Sequence, residues 1–176
     1  MRVLAGIAVA AILVAACGGP AAVSTPTPTA SPTPSPSPTP ANTFKAELKA
    51  SNETPPITDA EASCSGTATV TLSTTSVKFD VSITGCPATT VINIGHIHEG
   101  AAGVAGPVKI STGLAAGDLT LTGGAVTFSR TATPSGPPAW DASLINAIIA
   151  NPAGYYVNFH SGVHGGGVIR GQLTKA

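Results

Sequence analysis

The four histidines of the chain lie in two short segments. The first reads N-I-G-H-I-H-E-G and contains His96 and His98, and the second, near the carboxyl end, contains His160 and His164. Zinc and copper both accept imidazole ligands. Residues i and i+2 of a strand face the same side, about 6.5 to 7 Å apart, so His96 and His98 can reach one ion. If the two segments are neighbours, three or four imidazoles converge, and the sequence predicts a copper or zinc site.

Two further features bear on this hypothesis. Glu99 directly follows His98, where it could orient one ring as an acceptor or become a ligand itself. His164 is separated from His160 by a glycine-rich turn, which would have to fold its side chain back. The alternative is that the histidines are structural, with rings that hydrogen-bond backbone groups and hold loops. The sequence leaves both interpretations open.

Composition limits the possible functions. The chain has 176 residues, with 8 Lys and Arg balanced by 8 Asp and Glu. That length fits one domain with appendages. Because there is no basic excess or Lys/Arg cluster, nucleic acid is not an expected partner.

Residues 1–16 are predicted to be a lipoprotein signal peptide. Arg2 is followed by an apolar run from Val3 to Val14 that is too short to span a bilayer. The run ends in V-A-A-C, which resembles the lipobox of bacterial lipoproteins and predicts lipidation of Cys17. The alternative is ordinary signal cleavage that leaves a free Cys17. Lipidation would place the protein at the cell membrane, facing the periplasm or the cell surface.

Residues 17–43 are predicted to be the lipidated cysteine and a disordered stalk. Proline alternates there with Ser and Thr, which favours extended polyproline II and leaves little apolar surface to bury. At ~3.1 Å per residue the stalk could hold a domain up to roughly 80 Å from the membrane.

The other two cysteines, Cys64 and Cys86, form an even pair in an exported chain, which predicts a disulfide. The closed loop of about twenty residues would contribute roughly 3 kcal/mol. Metal ligation by both thiols is the competing interpretation, although CxxC spacing is lacking.

Residues 44–176 are predicted to be one folded domain with mostly period-two patterning. Apolar residues alternate with polar ones in three clear segments, which begin at Phe44, Ala68 and Val77. This alternation indicates an antiparallel sheet with one buried face and one solvent-exposed face. Turns are expected over residues 73–76 and at Gly123-Gly124. Further strands are predicted over residues 90–98, 108–111, 118–122 and 125–130.

One short helix interrupts the strands. Apolar residues recur at helical spacing over residues 142–150, with Asp141 as N-cap and Asn151-Pro152 as the stop. Many short strands with one helix predict an all-β fold, an antiparallel β-sandwich of immunoglobulin-like or superoxide-dismutase-like outline.

Three motifs, taken together, carry a family resemblance. They are L-K-A-S-N-E-T-P-P from Leu48, G-H-I-H-E-G-A-A-G-V-A-G-P from Gly95, and Y-V-N-F-H…G-G-V-I-R-G-Q-L at the end. In this order they resemble the CHRD domain, a module named for chordin and widespread in bacterial secreted proteins and lipoproteins. The resemblance implies an extracytoplasmic β-sandwich-like domain but no uniform activity. Its motif residues include Glu53, Pro55, Pro56 and Arg170.

Two details qualify the resemblance. Val168 stands where family members often have an acidic residue, so no role can rest on that carboxylate here. Arg170 is interpreted as a structural arginine that pairs with Glu53 or Glu99. The H-x-H-E run also resembles the copper half of Cu/Zn superoxide dismutase, but the bridging histidine and the zinc loop have no counterpart.

The sequence therefore predicts a membrane-anchored extracytoplasmic binding module with a histidine site for copper or zinc. A first alternative is an adhesive module that binds an extracellular protein or glycan and whose histidines are structural. A second, ranked lower, is a superoxide-dismutase-like metalloenzyme.

Overall fold

The computed structural model describes residues 42–176. The predicted signal peptide, Cys17 and nearly all of the predicted stalk lie outside the described residues. The first strand begins at Asn42, two residues before the boundary expected from the sequence. No helix in residues 42–176 is long and apolar enough to cross a membrane.

The described residues fold into a nine-stranded, antiparallel sheet with one α-helix. The strands are β1 (Asn42–Lys49), β2 (Ser65–Leu72), β3 (Val77–Thr84), β4 (Ile92–Glu99), β5 (Val108–Ser111), β6 (Val126–Ala132), β7 (Tyr155–Ser161), β8 (Ile169–Gln172) and β9 (Thr174–Lys175). The order across the sheet is β5-β4-β7-β8-β1-β2-β3-β6, with β9 beside β1. The predicted antiparallel β class is confirmed.

The sheet curls over into a nearly closed barrel or sandwich. Phe128 of β6 and Phe159 of β7 are far apart in the strand order, yet their rings meet edge to face with centroids 5.8 Å apart. Strands from both ends of the order therefore contribute to one apolar core. Burying that core supplies the main favourable free energy of folding.

The β2–β3 hairpin forms because its two strands share one alternating pattern. Val77, Phe79, Val81 and Ile83 are buried, whereas the residues between them are partly or fully exposed. The predicted turn is confirmed, since the Ser73 N–H donates to the Ser76 carbonyl at 2.9 Å. Cys64 and Cys86 flank the open end of this hairpin and form the predicted disulfide.

The helix, α1 (Ala142–Ala150), has the predicted bounds. The Asp141 carboxylate caps it by accepting the N–H groups of Ser143 and Leu144 at 3.0 and 3.1 Å. Ile145 and Ile148, one turn apart, are its buried side chains. The helix is thus an amphipathic element that covers part of the core.

The predicted strand over residues 118–122 is wrong. Only Thr122 makes a bridge, and its partner is Ala125 across the expected glycine turn. Asp118 instead accepts the Ala115 N–H at 3.1 Å and forms an ion pair with Arg130 at 3.0 Å. Because its side chain closes a local turn, the alternating pattern there has no strand to pair with.

Candidate metal centre

Strands β4 and β7 bring the two histidine segments together. In their register Ile94 is opposite His160, His96 is opposite Asn158, and His98 is opposite Tyr156. Because paired residues of antiparallel strands lie on the same side of the sheet, these six side chains share one face. The prediction that the two histidine segments are neighbours is correct. We call this side of β4, β7 and β8 the histidine face.

The opposite side of the same strands belongs to the apolar core. Ile97, Val157 and Phe159 are there, each with 0% of its surface exposed. Gly95 directly precedes His96 and is opposite Phe159 of β7, and a Cβ at that residue would collide with the Phe159 ring. The glycine therefore lets a phenylalanine pack directly beneath the strand that carries His96 and His98.

One ring nitrogen from each of His96, His98 and His160 lies within 4.8 Å of the other two. The closest pair is His96 Nδ1 and His160 Nε2, at 3.2 Å. His98 and His160 are buried, with 7% and 5% of their surfaces exposed, whereas His96 is partly exposed. The three rings are therefore grouped tightly enough to share one small ion that enters past His96.

Backbone carbonyls fix the tautomers of two of these rings. His98 Nδ1 lies 2.9 Å from the Gly106 carbonyl, and His160 Nδ1 lies 2.9 Å from the Gly165 carbonyl. A carbonyl can only accept, so each Nδ1 carries the proton and each Nε2 presents a lone pair. A metal-binding histidine usually has its other nitrogen held in this way.

The lone pair of His98 Nε2 has no hydrogen-bond partner among the described residues, although the atom is buried. Leaving a buried acceptor without a partner costs roughly 1–3 kcal/mol. Such an atom, grouped with two other imidazole nitrogens, is chemically suited to a metal ion.

Burial keeps the three imidazoles neutral. Together with the neighbouring His160 and His98, it lowers the pKa of His96 from 6.5 to about 4. Burial also lowers the pKa values of His98 and His160, against the opposing effect of their carbonyl hydrogen bonds. Near pH 7 all three rings are therefore in the form that ligates a metal.

Tyr156 and Arg170 support the ring of His98. The Tyr156 ring stacks on His98 with centroids 5.0 Å apart and 11° between the planes. The Arg170 guanidinium lies over the Tyr156 ring, 3.6 Å from its centroid. The Tyr156 hydroxyl accepts the Gly106 N–H at 3.1 Å, which anchors the loop whose carbonyl binds His98.

His164 does not join the other three histidines, so the prediction of a fourth ligand is corrected. Its Nε2 lies 2.9 Å from an oxygen of Asp59 and 3.6 Å from an oxygen of Glu61. The reason is local, because β7 ends at Ser161 and the hydroxyl of that residue accepts the His164 N–H at 3.0 Å. This turn directs His164 to the acidic loop before β2.

Glu99 does not orient a histidine, and this expectation is also corrected. As the odd-numbered neighbour of His98 it lies on the other side of β4, where it pairs with Lys109 at 2.8 Å. Period-two geometry, which brought His96 and His98 together, also separates Glu99 from them.

Arg170 was expected to pair with Glu53 or Glu99, but the structure gives it other hydrogen-bond partners. Its Nη2 donates to the carbonyls of Ala101 and Val104 at 3.4 and 3.0 Å, rather than to a carboxylate. Glu53 is nevertheless near enough for the Arg170 charge to lower its pKa, but burial outweighs this and raises the pKa to about 7. Glu53 Oε1 is buried and has no hydrogen-bond partner among the described residues.

The other motif residues lie close to Glu53. Pro55 and Pro56 follow it in a loop that forms the wall of a cleft together with His164, Gly166 and Gly167. This proline-containing loop thus borders the turn that carries the Gly165 carbonyl.

The contributions of the Gly106 and Gly165 carbonyls and of Tyr156 were not predicted from the sequence. Backbone carbonyls have no residue-specific signal. For Tyr156 a signal existed, because the alternation that places His160 on one side of β7 also places Asn158 and Tyr156 there.

Together these features define an antiparallel β domain with a buried, neutral, three-histidine centre on one face. The CHRD domain family model matches residues 44–173, and the chain belongs to this family. No curated protein is significantly similar to the chain. No solved structure is significantly similar to it either.

Proposed function

We propose that this protein is a lipid-anchored, extracytoplasmic CHRD-domain module that binds copper or zinc through His96, His98 and His160. The observation that carries the metal site is the convergence of three imidazole nitrogens within 4.8 Å, two of them with tautomers fixed by carbonyls. Imidazole is a ligand common to copper and zinc.

The structural interpretation of the histidines explains less of the geometry. Hydrogen bonds to the Gly106 and Gly165 carbonyls give His98 and His160 one partner each, as a structural histidine would have. They do not explain why His98 Nε2 is buried beside two other imidazoles without a partner. A metal ion would satisfy that atom and hold both strands together.

Calorimetric titration with Cu(II) and with Zn(II) tests this proposal. The protein would carry Cys17→Ala, so that no free thiol competes for the metal. We expect one ion per chain, and His96→Ala should weaken its binding by more than about 100-fold. His96 is the most exposed of the three ligands, so its replacement disturbs the fold least.

His164→Ala is the matched control, because it removes a histidine that lies outside the ligand group. It should leave stoichiometry unchanged and affinity within about threefold. If the wild-type protein bound neither zinc nor copper in either oxidation state more tightly than about 10 μM, or if both variants lost binding equally, the metal site would be rejected. The histidines would then be structural, which favours a module that binds a protein or glycan partner.

Membrane anchoring is a separate part of the proposal, supported by the apolar run of residues 3–14 and the small residues before Cys17. In a bacterial host we expect the protein in the membrane fraction, with a mature N-terminal peptide that carries the mass of acyl chains. Cys17→Ala should abolish acylation and release the chain from the membrane fraction. An unmodified Cys17 in a soluble mature protein would show ordinary signal cleavage instead.

A further inference from the structure

The three-histidine ligand group contains no negatively charged side chain. All three ligands are neutral imidazoles, and the group contains no carboxylate or thiolate. A cationic side chain is on the same face, because β7 and β8 pair Asn158 with Arg170. The Arg170 guanidinium lies 3.6 Å from the centroid of the Tyr156 ring, and that ring stacks on His98, so the charge of Arg170 is close to the site.

The acidic residues near this face are directed elsewhere. Asp59 pairs with His164, and Glu61 accepts the Ser161 hydroxyl at 2.5 Å. Glu99 pairs with Lys109 on the other side of β4. Glu53 is buried with its pKa raised to about 7, so a large share of it is uncharged at neutral pH. A metal ion at this site therefore meets little compensating charge.

The charge of the ion decides what such a site can hold. The Born cost of burying an ion grows with the square of its charge, so a divalent ion costs roughly four times as much as a monovalent one of similar size. Repulsion by Arg170 is also about twofold larger for a divalent ion. Both effects disfavour Zn(II) and Cu(II) relative to Cu(I).

Coordination number points the same way. Zn(II) takes a tetrahedral shell, and with three protein ligands it needs a fourth group such as water. Cu(I) is satisfied by three nitrogen donors, which is the number that the ligand group supplies. The site therefore supplies the whole coordination shell of Cu(I) from protein side chains, without a water ligand.

We propose that the three-histidine centre is a cuprous site that selects Cu(I) over Zn(II) because it is neutral, largely buried and flanked by Arg170. This inference rests on the proposed function, since it names the ion that His96, His98 and His160 hold.

The test measures two affinities on the Cys17→Ala protein. Cu(I) is supplied without oxygen and in competition with a colorimetric Cu(I) chelator, and Zn(II) is measured by competition with a zinc indicator. We expect one Cu(I) per chain, bound at least about 1000-fold more tightly than Zn(II), a ratio equivalent to roughly 4 kcal/mol. Equal affinities, or tighter Zn(II) binding, would overturn the inference and leave the proposed function standing. Failure to bind either ion would remove both.

Asn158→Asp tests the physical cause with almost no change in shape. Asn158 is opposite His96 on the histidine face and has 2% of its surface exposed. A carboxylate there should strengthen Zn(II) binding by about the square of the factor by which it strengthens Cu(I) binding, since the Coulomb energy doubles with the charge of the ion.

Arg170→Gln removes a positive charge, so it should also strengthen Zn(II) binding by about the square of the factor by which it strengthens Cu(I) binding. If either folded variant changed the affinity for both ions by equal factors, the charge argument would be wrong. Circular dichroism verifies the fold of each variant, and the wild-type ratio decides the inference if neither variant folds.

Discussion

The two halves of the sheet are built on different plans. In the half formed by β1, β2, β3 and β6, one face is buried and the other is open to solvent, as the alternating exposure of β3 shows. In the half formed by β4, β7 and β8, loops cover the outer face as well, and every residue of β7 is buried. We call the first the regular half and the second the histidine half.

The difference shows where function can reside. Polar residues on the outer face of the regular half are open to solvent, so they need no protein partner. In the histidine half the same alternation places His98, Asn158 and Arg170 away from solvent, where each polar atom needs a partner or a ligand. The covered outer face, rather than the apolar core, therefore creates the site.

The largest expected effect comes from the core of the regular half. Phe79 is fully buried in β3, and Phe79→Ala should lower the free energy of unfolding by about 3–5 kcal/mol. Chemical denaturation followed by circular dichroism measures this change. Metal affinity, measured below the unfolding transition, should stay within about threefold of wild type. A parallel loss of affinity would show that the two halves are not independent.

The second-largest effect is expected from removing the disulfide beside the β2–β3 hairpin. Replacing Cys64 and Cys86 together by alanine should lower the free energy of unfolding by roughly 3 kcal/mol, because the unfolded chain loses a closed loop. Thermal unfolding of the double variant gives the value, and wild-type protein treated with a reductant should match it. Metal stoichiometry should remain one per chain, and its loss would place the cysteines in the function of the site.

Glu53 should give the histidine half a pH dependence of opposite sign to that of the histidines. Its pKa in the folded protein is about 7, above the ordinary value of 4.5. Its contribution to stability is therefore complete below about pH 4.5 and lost as pH rises through about 7. Between pH 5 and pH 8 the metal-free wild type should lose about 1–2 kcal/mol relative to Glu53→Gln.

Subtracting the variant from the wild type removes the contribution of the histidines. Burial lowers the pKa values of His96, His98 and His160, so their contribution is complete above pH 6.5 and lost as pH falls. Denaturation at several pH values in the presence of a chelator measures the difference. A constant difference between the two proteins would show that Glu53 titrates normally.

The smallest effect should come from the open face of the regular half. Lys78 and Asp80 form an ion pair at 2.8 Å with about half of each side chain exposed. Lys78→Ala should change the free energy of unfolding by no more than about 0.5 kcal/mol, because water and salt screen such pairs. A change above about 1 kcal/mol would mean that this face is less solvated than its alternating pattern indicates.

The same contrast explains what the sequence could predict. In the regular half one buried face produces a readable alternation, so β1, β2, β3, their turn and the disulfide followed from the residue pattern. The helix was predictable because Asp141 and Asn151-Pro152 mark its ends. The position of His96 and His98 on the same side of one strand also followed from strand geometry.

The predictions that failed concern residues placed by loops, together with Glu99, which strand alternation places on the other side of β4. His164 and Glu99 are near the ligands in sequence, but a turn and the strand alternation direct them elsewhere. The Gly106 and Gly165 carbonyls are set by loop conformation, which no local pattern encodes. Arg170 binds carbonyls for the same reason, since the loop over residues 101–104 brings acceptors to it.

The contact between Gly95 and Phe159 has a consequence for how the domain can change over evolution. A methyl group at Gly95 would meet the Phe159 ring, so a larger residue there is tolerated only if position 159 becomes smaller. Substitution at either site alone leaves a clash or a cavity, which makes the two positions epistatic. A lineage that kept His96 and His98 on this strand would therefore be expected to keep or exchange the glycine and the phenylalanine as a pair.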